Sequence, residues 1–91
     1  MYEIQAMPRA IKDISGLPKE YTRLVSEHID SLAAEPRPRD SRKLRGRSDY
    51  RLRVGVYRVL YEIDDENQDE NQDENQIVTI FRVRHRREAY R

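Results

Sequence analysis

The sequence predicts an α+β domain of order β-α-α-β-β-β-β, with two N-terminal helices packed on one face of a mainly antiparallel four- to five-stranded sheet. Three observations carry this. Apolar residues recur at helical spacing between residues 8 and 33, alternate with period two between residues 50 and 63, and form a dense apolar run at 77–83. At 91 residues the chain accommodates one domain, 1–91.

Tyr2-Glu3-Ile4-Gln5-Ala6 alternates and reads as the first strand. Pro8 opens a short helix with Ala10, Ile11 and Ile14 at helical spacing, and Gly16 ends it as a C′ glycine would. Pro18 starts the second helix, where a missing N–H costs nothing. Tyr21, Leu24, Val25, His28, Ile29, Leu32 and Ala33 form its apolar stripe, and Glu35-Pro36-Arg37-Pro38 stops it. A short strand at Lys43-Leu44-Arg45 precedes a Gly46–Asp49 turn. In the strand Tyr50–Val54, Leu52 and Val54 share one face and Arg51 and Arg53 the other. Gly55 makes a turn, and Val56–Ile63 then puts Tyr57, Val59, Tyr61 and Ile63 on the core face, opposite Val56, Arg58, Leu60 and Glu62. Ile77–Val83 reads as a strand buried on both sides, followed by a charged tail from Arg84 to Arg91.

Composition excludes several functions. There is no cysteine, hence no disulfide and no thiolate nucleophile or ligand. The two histidines, His28 and His85, cannot build a structural zinc site without carboxylate help, so no metal and no cofactor is expected. No run of about 18 apolar residues exists, and the opening MYEIQAMPRA has no signal-peptide core, which predicts a soluble cytoplasmic protein without membrane contact.

The net charge of +1 conceals an asymmetry. Seven of the 17 acidic residues lie in Asp64–Gln76, which holds no base, leaving 10 acidic against 18 basic residues elsewhere. Nine of the bases fall between Arg37 and Arg58, against only Asp40 and Asp49, an excess suited to a polyanion. Residues 65–76 are three copies of Asp-Glu-Asn-Gln, an acidic insert in the hairpin between the last two strands. Two readings stand side by side. One is a solvated, disordered loop, since such a tract cannot build a core. The other is an extended hairpin or exchange arm, because a four-residue repeat preserves the strand period of two.

The segments Lys43-Leu44-Arg45-Gly46, Tyr50-Arg51-Leu52-Arg53-Val54-Gly55, Tyr57-Arg58-Val59-Leu60-Tyr61-Glu62-Ile63 and Val83-Arg84-His85-Arg86-Arg87-Glu88-Ala89-Tyr90-Arg91, in this order and spacing, resemble the RelE/ParE superfamily of toxins. The resemblance spans nearly the whole chain apart from the extra repeat copies. It implies the toxin of a type II toxin–antitoxin system, a metal-free endoribonuclease that cleaves messenger RNA in the ribosomal A site. It also implies the ribosome, mRNA and a cognate antitoxin as partners, the antitoxin wrapping the toxin with an acidic or amphipathic segment. By the same resemblance Arg58 holds the phosphate, Arg86 serves the leaving group, and Tyr90 serves as base or stacks on a nucleobase. Arg51 and Arg53 stand where RelE carries lysines; arginine keeps the charge but offers no titratable proton. Lys43, Arg45, Arg84 and Arg87 complete the expected RNA-binding set. His85 is a further candidate for proton transfer, because imidazole titrates near neutrality; otherwise it ends the strand or touches RNA. His28, Tyr57 and Tyr61 are expected to pack in the fold. Two other readings remain open: a ParE-like inhibitor of DNA gyrase without nuclease activity, and an interaction module silenced by its repeats.

The repeat pattern generates a test. Deleting Asp69–Gln76 leaves Asp64–Gln68 as a turn and is expected to preserve the fold, checked by circular dichroism and thermal unfolding. Light scattering of both versions reads whether the arm drives homo-oligomerisation; identical masses reject that role.

Overall fold

A computed structural model of the chain describes residues 1–44, 48–68 and 74–88. The order is β1 (Glu3–Ala6), α1 (Pro8–Ser15), α2 (Lys19–Ser31), β2 (Ser41–Lys43), β3 (Asp49–Val54), β4 (Tyr57–Gln68) and β5 (Glu74–His85). The five strands form one sheet in the order β1-β5-β4-β3-β2. Only β1 runs parallel to its neighbour; the β5–β4, β4–β3 and β3–β2 pairs are antiparallel. This is the expected α+β architecture in its five-stranded form.

Both helices lie on one face. Ala10 of α1, with Val25, Ile29 and the following Leu32 of α2, meets Leu52, Val54, Val59, Tyr61, Val78, Ile80 and Val83 from the sheet in one buried cluster. Each such aliphatic side chain contributes about 1.5–3 kcal/mol when fully buried. Tyr61, the largest of them, still satisfies its hydroxyl, donating to the Pro36 carbonyl at 2.8 Å.

The helix boundaries depart from expectation in local detail. Gly16 ends α1 in the right-handed region (φ −89°), its N–H donating to the Lys12 and Asp13 carbonyls, so the left-handed freedom of glycine is not used there. Pro18 occupies the N-cap of α2, not its first turn, and its carbonyl accepts from the N–H groups of Tyr21 and Thr22. Leu24, placed on the apolar stripe by its spacing, is exposed. The first strand pairing lies at Ser41–Lys43 instead of 43–45.

Gly55 does need its glycine. Its φ is +59°, and a Cβ there would stand 3.3 Å from the Tyr21 ring. The Gly55-Val56 turn joins Val54 to Tyr57, which are directly paired, and fixes the register of β3 against β4.

The most consequential departure lies in β5. Val78 and Ile80 face the core, and simple alternation would send Arg82 and Arg84 inward after them. The strand instead carries a bulge: Leu60 pairs with Arg82 and Tyr61 with Ile80, leaving Phe81 as the extra residue. Val83 thereby joins Val59 in the core, while Arg82 and Arg84 turn to the opposite face. Among the described residues no helix covers that face, and Ile77 and Phe81 are only half-buried, so the expectation of a strand covered on both sides does not hold.

Beyond Ile80, β5 has no β1 partner, and α1 covers this stretch of its edge. The Val83 N–H donates to Asp13 Oδ2 at 2.9 Å, and Arg82 Nε donates to the same oxygen at 2.8 Å. Burial, the largest single influence on this carboxyl, pushes its pKa up, but the hydrogen bonds from Arg82 and Val83 together bring it below the usual value. The contact is 18% exposed on the Asp13 side, shielded enough for charge-assisted bonds to count. Asp13→Asn is therefore expected to cost about 1–2 kcal/mol in urea unfolding at neutral pH. Because the folded pKa is depressed, the wild-type advantage is complete above the unfolded carboxyl pKa, about 3.9, and is lost as pH falls through the folded value. The stabilities of wild type and variant should converge in acid; a gap that persists there contradicts the assignment.

Candidate nucleic-acid interface

The uncovered face of the sheet is where the basic residues collect. Arg53 of β3 pairs directly with Arg58 of β4, and Arg58 pairs directly with Arg84 of β5, so three arginines stand in one row across three strands. Arg51 lies two residues from Arg53 on the same face and pairs with Arg42 of β2. Like charges directly opposite one another destabilise a sheet. The chain meets that cost with local partners. Arg84 Nη2 bonds Glu88 at 3.1 Å, and Arg53 Nη2 bonds Asp40 at 3.2 Å. Arg58 Nη1 donates to the Gly55 and Tyr57 carbonyls at 2.8 and 2.9 Å.

Arg51, Arg53 and Arg58 line a concavity of about 250 Å³ together with Arg39, Asp40 and Arg42. Its lining thus carries five positive charges against one negative, set on an open sheet face. An anion with several oxygens fits this arrangement, since guanidinium forks match phosphate geometry. Among the described residues no group of three histidine, cysteine or carboxylate side chains could hold a metal ion.

The remaining sequence candidates are distributed differently. Lys43 pairs with Tyr50 on the helix side of the sheet, so Arg42, which the motif comparison passes over, takes the place on the arginine face. His85 pairs with Tyr57, also on the helix side, with the rings 5.8 Å apart and edge to face, and Tyr57 in turn meets the Tyr21 ring of α2 edge-on. His85 is thus on the opposite side of β5 from Arg84. Its Nδ1 accepts the Arg87 N–H at 3.2 Å, which requires Nδ1 to be unprotonated. Arg86 and Arg87 lie exposed in the turn after β5, with the Arg86 N–H donating to the Val56 carbonyl at 2.7 Å. Arg45 and Tyr90 fall outside the described residues. His28 donates from Nδ1 to the Leu24 carbonyl of its own helix at 2.8 Å.

Sequence reasoning missed Arg39 and Arg42. Both fall in the basic cluster between Arg37 and Arg58, but neither is singled out there as a site residue.

The chain thus lays two helices over one face of a small mixed sheet and carries an arginine-lined concavity on the other. The family model for the ParE toxin of the type II toxin–antitoxin system parDE matches residues 4–90, and the chain belongs to this RelE/ParE superfamily of toxins. It is 28% identical over 96 residues to a protein described as toxin RelE1 of Methanocaldococcus jannaschii, a match covering 99% of this chain and 96% of that protein. Among solved structures it is similar to the RelBE2 toxin–antitoxin complex from Mycobacterium tuberculosis, with 30% identity, TM-score 0.70, and 93% of this chain and 98% of the other covered. It is equally similar to the archaeal RelE–RelB complex from Pyrococcus horikoshii OT3, with 30% identity, TM-score 0.72, and 97% and 98% covered. No described helix is long and apolar enough to cross a membrane.

Proposed function

We propose that this toxin is a ribosome-dependent endoribonuclease that cleaves mRNA in the A site through attack of a ribose 2′-oxygen on the adjacent phosphate. The observation that carries the reading is the cross-strand arginine row Arg53–Arg58–Arg84 beside the Arg51 side of the cleft. In the reaction the 2′-hydroxyl loses its proton, its oxygen bonds to phosphorus, and the bond from phosphorus to the 5′-oxygen breaks. A cyclic phosphate remains on one fragment, and the departing 5′-oxygen takes a proton from water to become the 5′-hydroxyl of the other. Charge builds on the phosphorane oxygens, where fixed guanidinium donors stabilise it more than they stabilise the starting phosphodiester. Arg58, central in the row, takes this role, with Arg51, Arg53 and Arg84 holding the flanking backbone and Lys43, Arg45 and Arg87 adding long-range attraction.

Arginine cannot accept the 2′-proton, because it stays protonated. His85 faces the helices, its ring against Tyr57 and its Nδ1 taken up by the Arg87 N–H, which favours a packing role over that of base. Tyr90 is left as the residue for proton removal or for stacking on a base, and Arg86 as the group that assists the leaving 5′-oxygen. The antitoxin partner is a RelB-like chain whose acidic or amphipathic segment covers the basic face, as supported by the relatives solved as RelE–RelB and RelBE complexes.

A second reading, inhibition of DNA gyrase, is favoured by one observation, the match to the ParE model. The two separate in parallel assays of programmed ribosomes and of gyrase supercoiling. Wild-type toxin is expected to cut ribosome-bound mRNA and leave supercoiling intact; the reverse pattern establishes the gyrase reading.

Arg58→Ala and Arg86→Ala should each abolish cleavage and growth arrest. Stability should change by no more than about 0.5 kcal/mol for exposed Arg86, and by about 1 kcal/mol for half-buried Arg58, which loses its carbonyl contacts. Tyr90→Phe should be nearly inactive if the hydroxyl moves a proton and largely active if the ring stacks. His85→Gln should retain most activity; a collapse of cleavage with an intact fold would restore imidazole to the chemistry.

A further inference from the structure

Two lining residues of the arginine cleft, Arg39 and Asp40, belong to the connection between α2 and β2. Residues 36–40 link α2 to β2, and a set of hydrogen bonds staples them to the sheet. Tyr61 donates its hydroxyl to the Pro36 carbonyl at 2.8 Å. Arg37 bonds Asp65 at 2.8 Å and Tyr50 at 3.1 Å. The Pro38 carbonyl accepts from the Ser41 hydroxyl at 2.8 Å, and the Asp40 carbonyl accepts the Arg53 N–H at 3.0 Å. Asp65 itself also accepts from the Tyr2 hydroxyl, so the first residue of the repeat tract anchors this staple. Two prolines, Pro36 and Pro38, further reduce the freedom of the segment.

Arg39 extends from this fixed backbone and Arg42 from the adjoining strand, and both line the cleft. Neither guanidinium makes a hydrogen bond or ion pair with the described residues, whereas Arg53 is paired with Asp40 and Arg84 with Glu88. Arg42 pairs across β2–β3 with Arg51, and Arg58 pairs across β3–β4 with Arg53. From Arg58 to Arg42 is therefore two strand spacings across the sheet and two residues along it, about 12 Å between backbones. That separation suits two backbone phosphates rather than one.

We infer that Arg39 and Arg42 form a second phosphate-binding position, which takes the RNA backbone one or two nucleotides from the phosphate held at Arg58. The inference rests on the ribonuclease reading and adds to it a direction: the strand leaves the reacting phosphate along β3 toward β2. Asp40 lines the same cleft and is paired with Arg53, which leaves Arg39 and Arg42 as cations without a carboxylate partner among the described residues. This makes the Arg39–Arg42 pair a binding element rather than part of the chemistry, because it is two strands away from the phosphate that reacts.

The test is cleavage of mRNA on programmed ribosomes by full-length toxin, with kcat and KM measured at about 50 and about 200 mM salt. Each phosphate contact to a single strand contributes about 0.7 to the log–log salt slope, so removing two should make KM about sevenfold less sensitive to that change in salt. Arg39→Ala with Arg42→Ala should therefore raise KM at low salt, flatten its salt dependence by that factor, and leave kcat unchanged. Arg39→Lys with Arg42→Lys, which keeps both charges, should retain the wild-type slope. A double alanine variant with wild-type KM and slope, or one that loses kcat at constant KM, overturns the inference while leaving the ribonuclease reading in place. So does a variant that cuts normally but no longer binds the antitoxin, which would assign the pair to that protein. Wild-type toxin that cuts nothing on the ribosome overturns the ribonuclease reading and this inference with it.

Discussion

The bulge at Phe81 decides which residues of β5 face the helices and which face outward. A strand with the order Val78-Thr79-Ile80-Phe81-Arg82-Val83-Arg84 cannot satisfy strict alternation, because its apolar positions change parity after Ile80. One extra residue resolves the conflict: Val83 enters the core opposite Val59, and Arg84 emerges opposite Arg58. Without it either Val83 would be exposed or two arginines would enter an apolar cluster, at several kcal/mol for each uncompensated charge. The Asp13 contacts complete the device, since they occupy the Val83 N–H and the Arg82 guanidinium where β1 no longer covers the edge. Core formation and the assembly of the arginine face are therefore one event.

Much of this was legible in the sequence and some was not, for identifiable reasons. The faces of β3 and β4 follow from plain alternation, and Leu52, Val54, Val59 and Tyr61 are buried as expected while Arg51, Arg53 and Arg58 stand on the opposite face. The parity change in β5 was also present in the sequence, yet it reads equally well as a strand buried on both sides, because Ile77 and Phe81 supply apolar residues of the other parity. His85 shows the same difficulty. Adjacent in sequence to Arg84 and Arg86, it joins the arginine constellation by motif, but strand geometry sends it to the Tyr57 side. Arg39 and Arg42 were hidden for another reason: their convergence with Arg51 and Arg58 depends on long-range pairing that no local pattern encodes.

The repeat tract illustrates how local chemistry and strand geometry compete. Composition alone argues for a solvated loop, but β4 runs to Gln68 and β5 begins at Glu74, so units at both ends of the tract continue the hairpin. The pairing shifts by one residue between Asp64 and Asn67, so the tract continues the hairpin through an irregularity and not in unbroken register. The clamp on Asp65 ties the start of the tract to Tyr2 and Arg37, and Arg37 in turn donates to the Tyr50 hydroxyl. The Arg37 bond lowers the Asp65 carboxyl most, and the Tyr2 bond adds to it. Exposure of nearly half of both Arg37 and Asp65 keeps the ion pair weak on its own, and its value lies in holding the 36–40 connection that shapes one side of the cleft.

The central claim is that RNA is held on the bare face of the sheet and not on the helix side. It is tested most directly by following the arginine side-chain Nε–H and histidine ring NMR signals of the toxin as a short single-stranded RNA is added. The account predicts that the signals of Arg51, Arg53, Arg58 and Arg84 shift together and saturably, while those of Arg23 on α2 and His28 do not move. Shifts confined to the helices, with the four sheet arginines unchanged, would contradict it.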